Sequence, residues 1–189
     1  FFPVVNPCKN NTVLPLDTYY QCVDEMNLPQ TDRAEYITGT TKKNFYWAEP
    51  EIQLEMLNSL FNKLPQNSRV NYMSSENLKK LSSSGFEIGS HGMTHSLLIA
   101  EYMDEEKVMN ELQKSKQWLE AVTGKHITSY CFPAGRYNAK MIELAKQVGY
   151  TSTCLVVSSE NEKEILPSYE RFFVKPNSLD ELKRALEIE

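Results

Sequence analysis

Apolar and polar positions along the chain follow two periods, which separate predicted helices from predicted strands. From residue 74 onward, apolar residues spaced three and four apart alternate with short runs of β-branched and aromatic residues. The predicted helices run from Ser74 to Gly85, from Asp104 to Gly124, from Asn138 to Gly149 and from Ser178 onward. The predicted strands cover 86–89, 127–132, 151–157 and 171–174. Alternating strands and helices indicate an α/β protein with a mainly parallel sheet.

The pattern before residue 74 is less regular. Residues 1–5 form an apolar run that predicts a short buried strand. A helix is predicted over 16–26, entered through Pro15, because proline is tolerated in a first helical turn. A second helix is predicted from Pro50 to Pro65, and its apolar face comprises Ile52, Met56, Leu57, Leu60 and Phe61. The polar stretch 27–44 shows no period and is predicted to be a long surface loop.

The composition fits one folded domain over residues 1–189. Of the residues, 41% are hydrophobic and 11% aromatic, so the chain has enough apolar surface to offset the entropy lost on folding. No run approaches the roughly 18 apolar residues of a membrane span, and we expect no transmembrane segment. The balance of 20 basic and 25 acidic residues gives a net charge of −5, which argues against a nucleic-acid partner.

The four cysteines do not form a metal-binding or redox motif. None of them are spaced as C-x-x-C, so a zinc knuckle is unsupported. Cys131 and Cys154 lie in apolar runs and are expected to be buried, while the sequence allows a Cys8–Cys22 disulfide without indicating one. This usage slightly favours a reducing, cytoplasmic compartment, and an upstream signal would instead direct the protein to the cell envelope.

Two of the three histidines lie in one short segment, Ser90-His-Gly-Met-Thr-His95, directly after the predicted strand 86–89. Loops at the carboxyl ends of parallel strands carry the active sites of α/β folds. In a tight turn, the imidazoles of His91 and His95 can therefore bind one metal ion. The other interpretation is that both are polar loop residues in a turn made by Gly89 and Gly92. On spacing alone this second interpretation is favoured, because short motifs often recur by chance.

A second candidate segment runs from Tyr130 to Asn138, again between a predicted strand and a predicted helix. Pro133 and Gly135 impose a defined turn there, which can direct backbone N–H groups outward. Such donors stabilise the oxyanion of an acyl-transfer reaction. The alternative is an ordinary strand–turn–helix connection in which Asn138 caps the helix.

Together the two segments resemble the polysaccharide deacetylase (NodB-homology, carbohydrate esterase family 4-like) family. The order of helix, glycine, short strand and S-H-x-x-[ST]-H over 78–95 is similar to the family's second motif. The sequence Phe-Pro-Ala-Gly-Arg-Tyr-Asn over 132–138 resembles its later P-x-G-x-Y-[ND] turn, and the run 1–5 resembles its second strand. The resemblance is clear over about 74–157, whereas 16–71 is interpreted as an insertion.

The resemblance implies a distorted (β/α) barrel that removes the N-acetyl group from a sugar in a polysaccharide, an oligosaccharide or a glycan precursor. It implies a divalent metal, zinc first with nickel or cobalt as alternatives, bound by one aspartate and two histidines that match His91 and His95. The backbone N–H of Ala134 matches the oxyanion donor. Pro133, Gly135 and Tyr137 match the substrate-binding turn.

Two family features are missing from the sequence. The family's first motif, T-F-D-D, supplies the general base and the aspartate ligand. It is absent from this sequence and is expected upstream of Phe1. We therefore expect a barrel without its first strand and a chain that is incomplete for catalysis. The late histidine that serves as general acid has no counterpart after Leu155. Two alternatives stay open: an inactive deacetylase-like domain that binds glycan or a protein partner, and a structural domain whose histidine pair is incidental.

Overall fold

The computed structural model describes residues 1–61, 64–66, 70–155 and 165–170. Its helices are α1 (Val5–Asn10), α2 (Pro15–Glu25), α3 (Gln30–Ile37), α4 (Thr40–Trp47), α5 (Pro50–Leu60), α6 (Ser75–Ser83), α7 (Glu105–Thr123) and α8 (Ala139–Val148). Its strands are β1 (Ser129–Cys131), β2 (Ser152–Leu155) and β3 (Ser168–Glu170).

The three strands form a parallel sheet in the order β1-β2-β3. Ser90 extends the sheet beyond β1 through a parallel bridge to Tyr130. On the other side of that segment, the Phe1 amino group donates to the Glu87 carbonyl at 2.8 Å, and Gly89 N–H donates to the Phe1 carbonyl at 2.7 Å. Strand and helix units with parallel pairing confirm the α/β prediction for this part of the chain.

The sequence predicted regular strands at 1–5 and 86–89, and neither forms one. Both segments are extended and hydrogen-bonded to each other, but Pro3 has no N–H to donate, so the ladder between them is interrupted. The backbone then turns, and Val5 begins α1 instead of continuing a strand. The prediction of a strand through Val5 is therefore wrong.

Helices α6, α7 and α8 begin where their caps predict. The side chains of Ser74, Asp104 and Asn138 accept hydrogen bonds from backbone N–H groups three residues later, which satisfies donors at each helix start. The three helices pack side by side, and their apolar faces share one core with the sheet. Its fully buried members include Leu78, Leu112, Leu119, Tyr130, Phe132, Ile142 and Leu155.

The stretch 27–44, predicted as a loop, contains α3 and the first part of α4. Together with α2 and α5, these helices enclose a second core around Tyr19, Phe45 and Phe61. Periodicity did not indicate them because each has eight residues; α3 buries none of its residues and α4 buries only Phe45. On α5, Leu57 is buried as predicted, whereas Ile52 on the predicted apolar face is 44% exposed.

Several other expectations are settled in part. The described strands form a small open sheet, so a closed barrel is not seen in the described residues. The predicted strand 171–174, the helix after Ser178 and residues 156–157 lie outside the described residues. No disulfide joins Cys8 to Cys22, and Cys154 is partly exposed, contrary to expectation. Within the described ranges, no helix combines the length and apolar character needed to cross a membrane.

Candidate active site

His91 lies at the carboxyl end of the extended segment 86–90, which lies between β1 and residues 1–3. On one side, Ser90 N–H donates to the Ser129 carbonyl at 2.9 Å and its own carbonyl accepts from Cys131 N–H at 2.8 Å. On the other side, His91 N–H donates to the Pro3 carbonyl at 3.2 Å. The backbone that carries His91 is therefore fixed from both neighbours in the sheet, at the edge where the sequence predicted a site.

The imidazole of His91 has a defined tautomer. Its Nδ1 lies 2.6 Å from the backbone carbonyl oxygen of Cys131. Because a carbonyl only accepts, Nδ1 carries a proton, and in the neutral imidazole the lone pair is then on Nε2. A histidine that donates one ring N–H to a backbone carbonyl while its other nitrogen stays basic is the usual arrangement of a metal-binding histidine.

His95 is brought to the same place by a tight turn. The two ring centroids are 5.0 Å apart and the ring planes meet at 70°. His95 adopts φ 67, a left-handed conformation that is uncommon outside glycine. Burial lowers the pKa of His95 below its ordinary value, so the ring is neutral at neutral pH and able to act as a ligand. The ring of Tyr46, from α4, lies 6.4 Å from it.

A buried network of hydroxyl groups connects the turn to α7. The hydroxyl of Ser90 donates to that of Ser115 at 2.9 Å and accepts from Gly92 N–H at 3.2 Å. Ser115 in turn donates to the Leu112 carbonyl at 3.1 Å, and the hydroxyl of Tyr150 donates to the same carbonyl at 3.0 Å. The start of the histidine turn is thus tied to α7.

Glu111, also on α7, holds the middle of the turn. Its carboxylate accepts from the backbone N–H groups of Met93 and Thr94, at 2.7 and 3.2 Å, and from the Thr94 hydroxyl at 2.8 Å. The sequence analysis missed Glu111 and Ser115. The available signal was that both polar residues lie within the apolar stripe of α7, next to Leu112.

The second predicted segment forms the turn that was expected. Ala134 has φ 53 and Gly135 has φ 62, so two successive residues are left-handed. The N–H groups of Gly135 and Arg136 donate to the carbonyls of Phe132 and Pro133, both at 3.0 Å. Across the described residues, the N–H of Ala134 donates no hydrogen bond, and Ala134 is exposed.

The other two residues of the predicted turn support its shape. Pro133 is buried, and the ring of Tyr137 packs on Phe132 with centroids 5.4 Å apart. The turn is joined to the histidine segment through Cys131, whose carbonyl accepts from His91 and which precedes Ala134 by three residues. The structure therefore brings the two predicted segments together.

The histidine pair fits two positions of a metal site, since one imidazole has a basic Nε2 and the other is neutral. Among the described residues, no group of three histidine, cysteine or acidic side chains could hold an ion. Two carboxylates that contact the segments around the pair are engaged elsewhere, Glu111 by the turn and Glu87 by the Ser129 hydroxyl at 2.8 Å. A third protein ligand is not found in the described part of the chain.

Comparison with known proteins assigns the class to which this fold and site belong. The sequence model described as "Polysaccharide deacetylase" matches residues 36–153. The chain belongs to the polysaccharide deacetylase family, which confirms the resemblance seen in the sequence. The search of curated proteins found no match.

Solved structures agree in fold. A polysaccharide deacetylase from Bacillus cereus superposes with a TM-score of 0.52 and 19% identity over 94% of this chain and 62% of that one. A Streptococcus pyogenes deacetylase in complex with acetate superposes with a TM-score of 0.54 and 19% identity, over 64% of this chain and 53% of that one. IcaB from Ammonifex degensii superposes with a TM-score of 0.51 and 16% identity, over 60% of this chain and 53% of that one. The chain thus covers less than two thirds of the length of each of these structures.

Proposed function

We propose that the protein carries out metal-dependent hydrolysis of the N-acetyl group of a sugar in a polysaccharide, oligosaccharide or glycan precursor. The observation that carries this proposal is the His91–His95 pair, which the His91–Cys131 hydrogen bond joins to the turn where, among the described residues, the N–H of Ala134 has no partner. Membership of the polysaccharide deacetylase family supports the N-acetylated carbohydrate as the substrate class.

His91, through Nε2, and His95 would hold the divalent ion, with zinc as the first choice and nickel or cobalt as alternatives. When bound, such an ion supplies Lewis acidity toward a carbonyl oxygen and lowers the pKa of water. The tautomer of His91 is set by the Cys131 carbonyl, and the neutral state of His95 is favoured by its burial. The hydrogen bond leaves Nε2 of His91 as the nitrogen that would bind the ion, and burial favours the form of His95 that can act as a ligand.

The N–H of Ala134 would donate to the oxygen of the acetyl group as negative charge develops on it. The N–H groups of the next two residues are already used inside the turn, so within the described residues Ala134 has the donor of this turn that lacks a partner. Pro133 and Gly135 fix the turn, and Tyr137 covers its inner side against Phe132. We assign the general base and the general acid to no described residue.

Metal affinity tests the proposal directly. Replacing His91 or His95 with alanine should lower the affinity for zinc and cobalt by at least about tenfold. Loss of a residue that only hydrogen-bonds a metal ligand already costs about that much affinity, and loss of the ligand itself should cost no less. His126→Ala is the matched control, since its side chain is 96% exposed beside Glu120. The measurement is isothermal titration calorimetry, in which zinc or cobalt is added to the intact, metal-stripped protein. Unchanged affinity in both test variants would refute the metal site.

A second function, glycan binding without hydrolysis, is favoured by one observation. The described residues contain no third metal-binding side chain near the histidine pair. The two functions differ in acetate release from N-acetylglucosamine oligomers under saturating zinc or cobalt. Oligomer binding without acetate release would support the binding domain, whereas release that is lost in His91→Ala would support the deacetylase.

A further inference from the structure

The segment between the two histidines is held by a single carboxylate. Glu111 accepts two backbone N–H groups and one hydroxyl, all from Met93 and Thr94. Hydrogen bonds to an ionised acceptor are about twice as strong as neutral ones. Every one of these contacts lies after His91 and before His95, so Glu111 acts on the part of the chain that sets the distance between the two imidazoles.

The start of α1 holds the same segment from another direction. The N–H groups of Val5 and Asn6, at the start of α1, donate to the carbonyls of Gly92 and Met93 at 3.0 and 2.8 Å. Gly92 itself has φ 85, and a Cβ there would lie 3.0 Å from Glu111 Oε2 and 3.2 Å from the hydroxyl oxygen of Tyr130. The turn has little space in which to adopt another conformation.

The conformation of His95 requires such support. A left-handed φ at a residue other than glycine costs about 1–3 kcal/mol and persists where the surroundings determine it. His95 follows Thr94, the residue that makes two of the three contacts with Glu111. Without these contacts, the turn could relax to an ordinary φ, and the ring of His95 would move away from that of His91.

The Glu111 carboxylate contacts the turn residues and forms no ion pair among the described residues. Lys107, one turn earlier on α7, forms its ion pair with Glu49 at 3.0 Å. No ion pair of Glu111 occurs within the described ranges, where its hydrogen-bond partners are the turn residues. The carboxylate therefore serves the backbone of the turn and does not neutralise a neighbouring cation.

We propose that Glu111 is a positioning residue that sets the relative placement of the His91 and His95 imidazoles. The consequence for metal binding rests on the proposed function, whereas the placement of the rings does not. Glu111 itself touches neither imidazole through a hydrogen bond and acts through residues 92–94.

The test compares Glu111→Gln with Glu143→Gln. Both N–H groups donate to Oε2 of Glu111 and the Thr94 hydroxyl donates to Oε1. Glutamine has the same shape, but its amide nitrogen cannot accept a hydrogen bond, so in either orientation it cannot accept all three, and it also removes the negative charge that strengthens them. Glu143 is an exposed glutamate on α8 and serves as the control. We would record ring ¹⁵N spectra of the metal-free proteins at one pH and measure cobalt affinity and the cobalt absorption spectrum.

In Glu111→Gln, the ring signals of His95 should shift toward those of free, tautomerically averaged histidine, whereas His91 keeps its hydrogen bond to the Cys131 carbonyl. Cobalt affinity should fall by about 10–100-fold, the loss typical of an outer partner of a ligand, and the cobalt absorption should change shape. A purely structural role would lower the midpoint of unfolding but leave the ring signals and the cobalt spectrum of the folded protein unchanged. That result would overturn the inference.

Two further outcomes are distinguishable. If the unmodified protein binds no cobalt or zinc, the proposed metal site fails, and the ring signals alone decide the role of Glu111. If Glu111→Gln does not fold, Thr94→Val takes its place, because it removes only the hydroxyl contact with Glu111 Oε1 and the contacts of that hydroxyl with Ser96. Unchanged ring signals in Thr94→Val would then refute the inference.

Discussion

The hydroxyl groups of two tyrosines in edge-to-face contact should have opposite effects on stability. Tyr130 and Tyr150 are both buried in the main core, with ring centroids 5.2 Å apart. The Tyr150 hydroxyl donates to the Leu112 carbonyl at 3.0 Å, whereas the Tyr130 hydroxyl has no hydrogen-bond partner among the described residues. We therefore predict that Tyr130→Phe stabilises the protein and Tyr150→Phe destabilises it.

The magnitudes follow from the two environments. A buried polar group without a partner costs about 1–3 kcal/mol, so removing the Tyr130 hydroxyl should raise the free energy of unfolding by about 1 kcal/mol or more. Removing a hydroxyl that makes a net favourable hydrogen bond should cost about 0.5–1.5 kcal/mol at Tyr150. In a protein of this size, each kcal/mol corresponds to roughly 2–4 °C in the midpoint of thermal unfolding.

Urea unfolding of the two variants, followed by circular dichroism, measures the difference. The slope with denaturant should be the same in both, so that the shift in midpoint reports stability alone. The reasoning is refuted if Tyr130→Phe loses as much stability as Tyr150→Phe. Such a loss would mean that the Tyr130 hydroxyl, close to Gly92 and Glu111, has a hydrogen-bond partner after all.

Three further predictions concern the turns and the response to acid. Gly92→Ala should lose more stability in thermal unfolding than Gly124→Ala, because both impose a left-handed φ costing about 1–2 kcal/mol but only the first Cβ meets other atoms within 4 Å. Ala134→Gly should raise the free energy of unfolding in urea by about 0.5–1 kcal/mol, because glycine adopts φ 53 without strain, and should leave acetate release unchanged, because the backbone N–H stays. Ala134→Pro would be a poor probe of that N–H, because proline cannot adopt φ 53. Burial alone would raise the pKa of Glu120, but the Ile127 N–H and Lys116 outweigh it and hold the pKa below its ordinary value of 4.5. Its contribution is therefore present above about pH 4.5 and lost as the pH falls through the lower folded value, so the stability difference from Glu120→Gln should shrink on acidification.

Local signals in the sequence located much of the fold. The caps at Ser74, Asp104 and Asn138 and the terminating glycines at 124 and 149 were predicted correctly, because a cap depends only on residues within one turn of it. The predictions failed where tertiary contacts decide. Helices α3 and α4 are too short to show a period, and Pro3 interrupts a ladder that the apolar run 1–5 otherwise indicated.

The candidate site shows the same division. His91, His95 and the turn at Ala134 could be picked out as candidates from spacing and turn chemistry, although only the family resemblance favoured a functional role, and the structure joins the two turns. Glu111 could not be identified in this way, because its contacts cross from α7 to a turn 17 and 18 residues earlier. A carboxylate within an apolar helical stripe was the only sign of it, and a glutamate at the margin of such a stripe can equally well extend into solvent.

The hydrogen bond from His91 to the Cys131 carbonyl also constrains the order of events during folding. It joins residues 40 apart in the sequence, and α7 lies between them. The pairing of Phe1 with Glu87 spans 86 residues. Closing such long loops costs entropy that local helix formation does not, so we expect these contacts to form after the helices do. A folding intermediate with intact helices and an unpaired sheet would therefore leave the two turns unjoined, and the complete site would form only in the last steps.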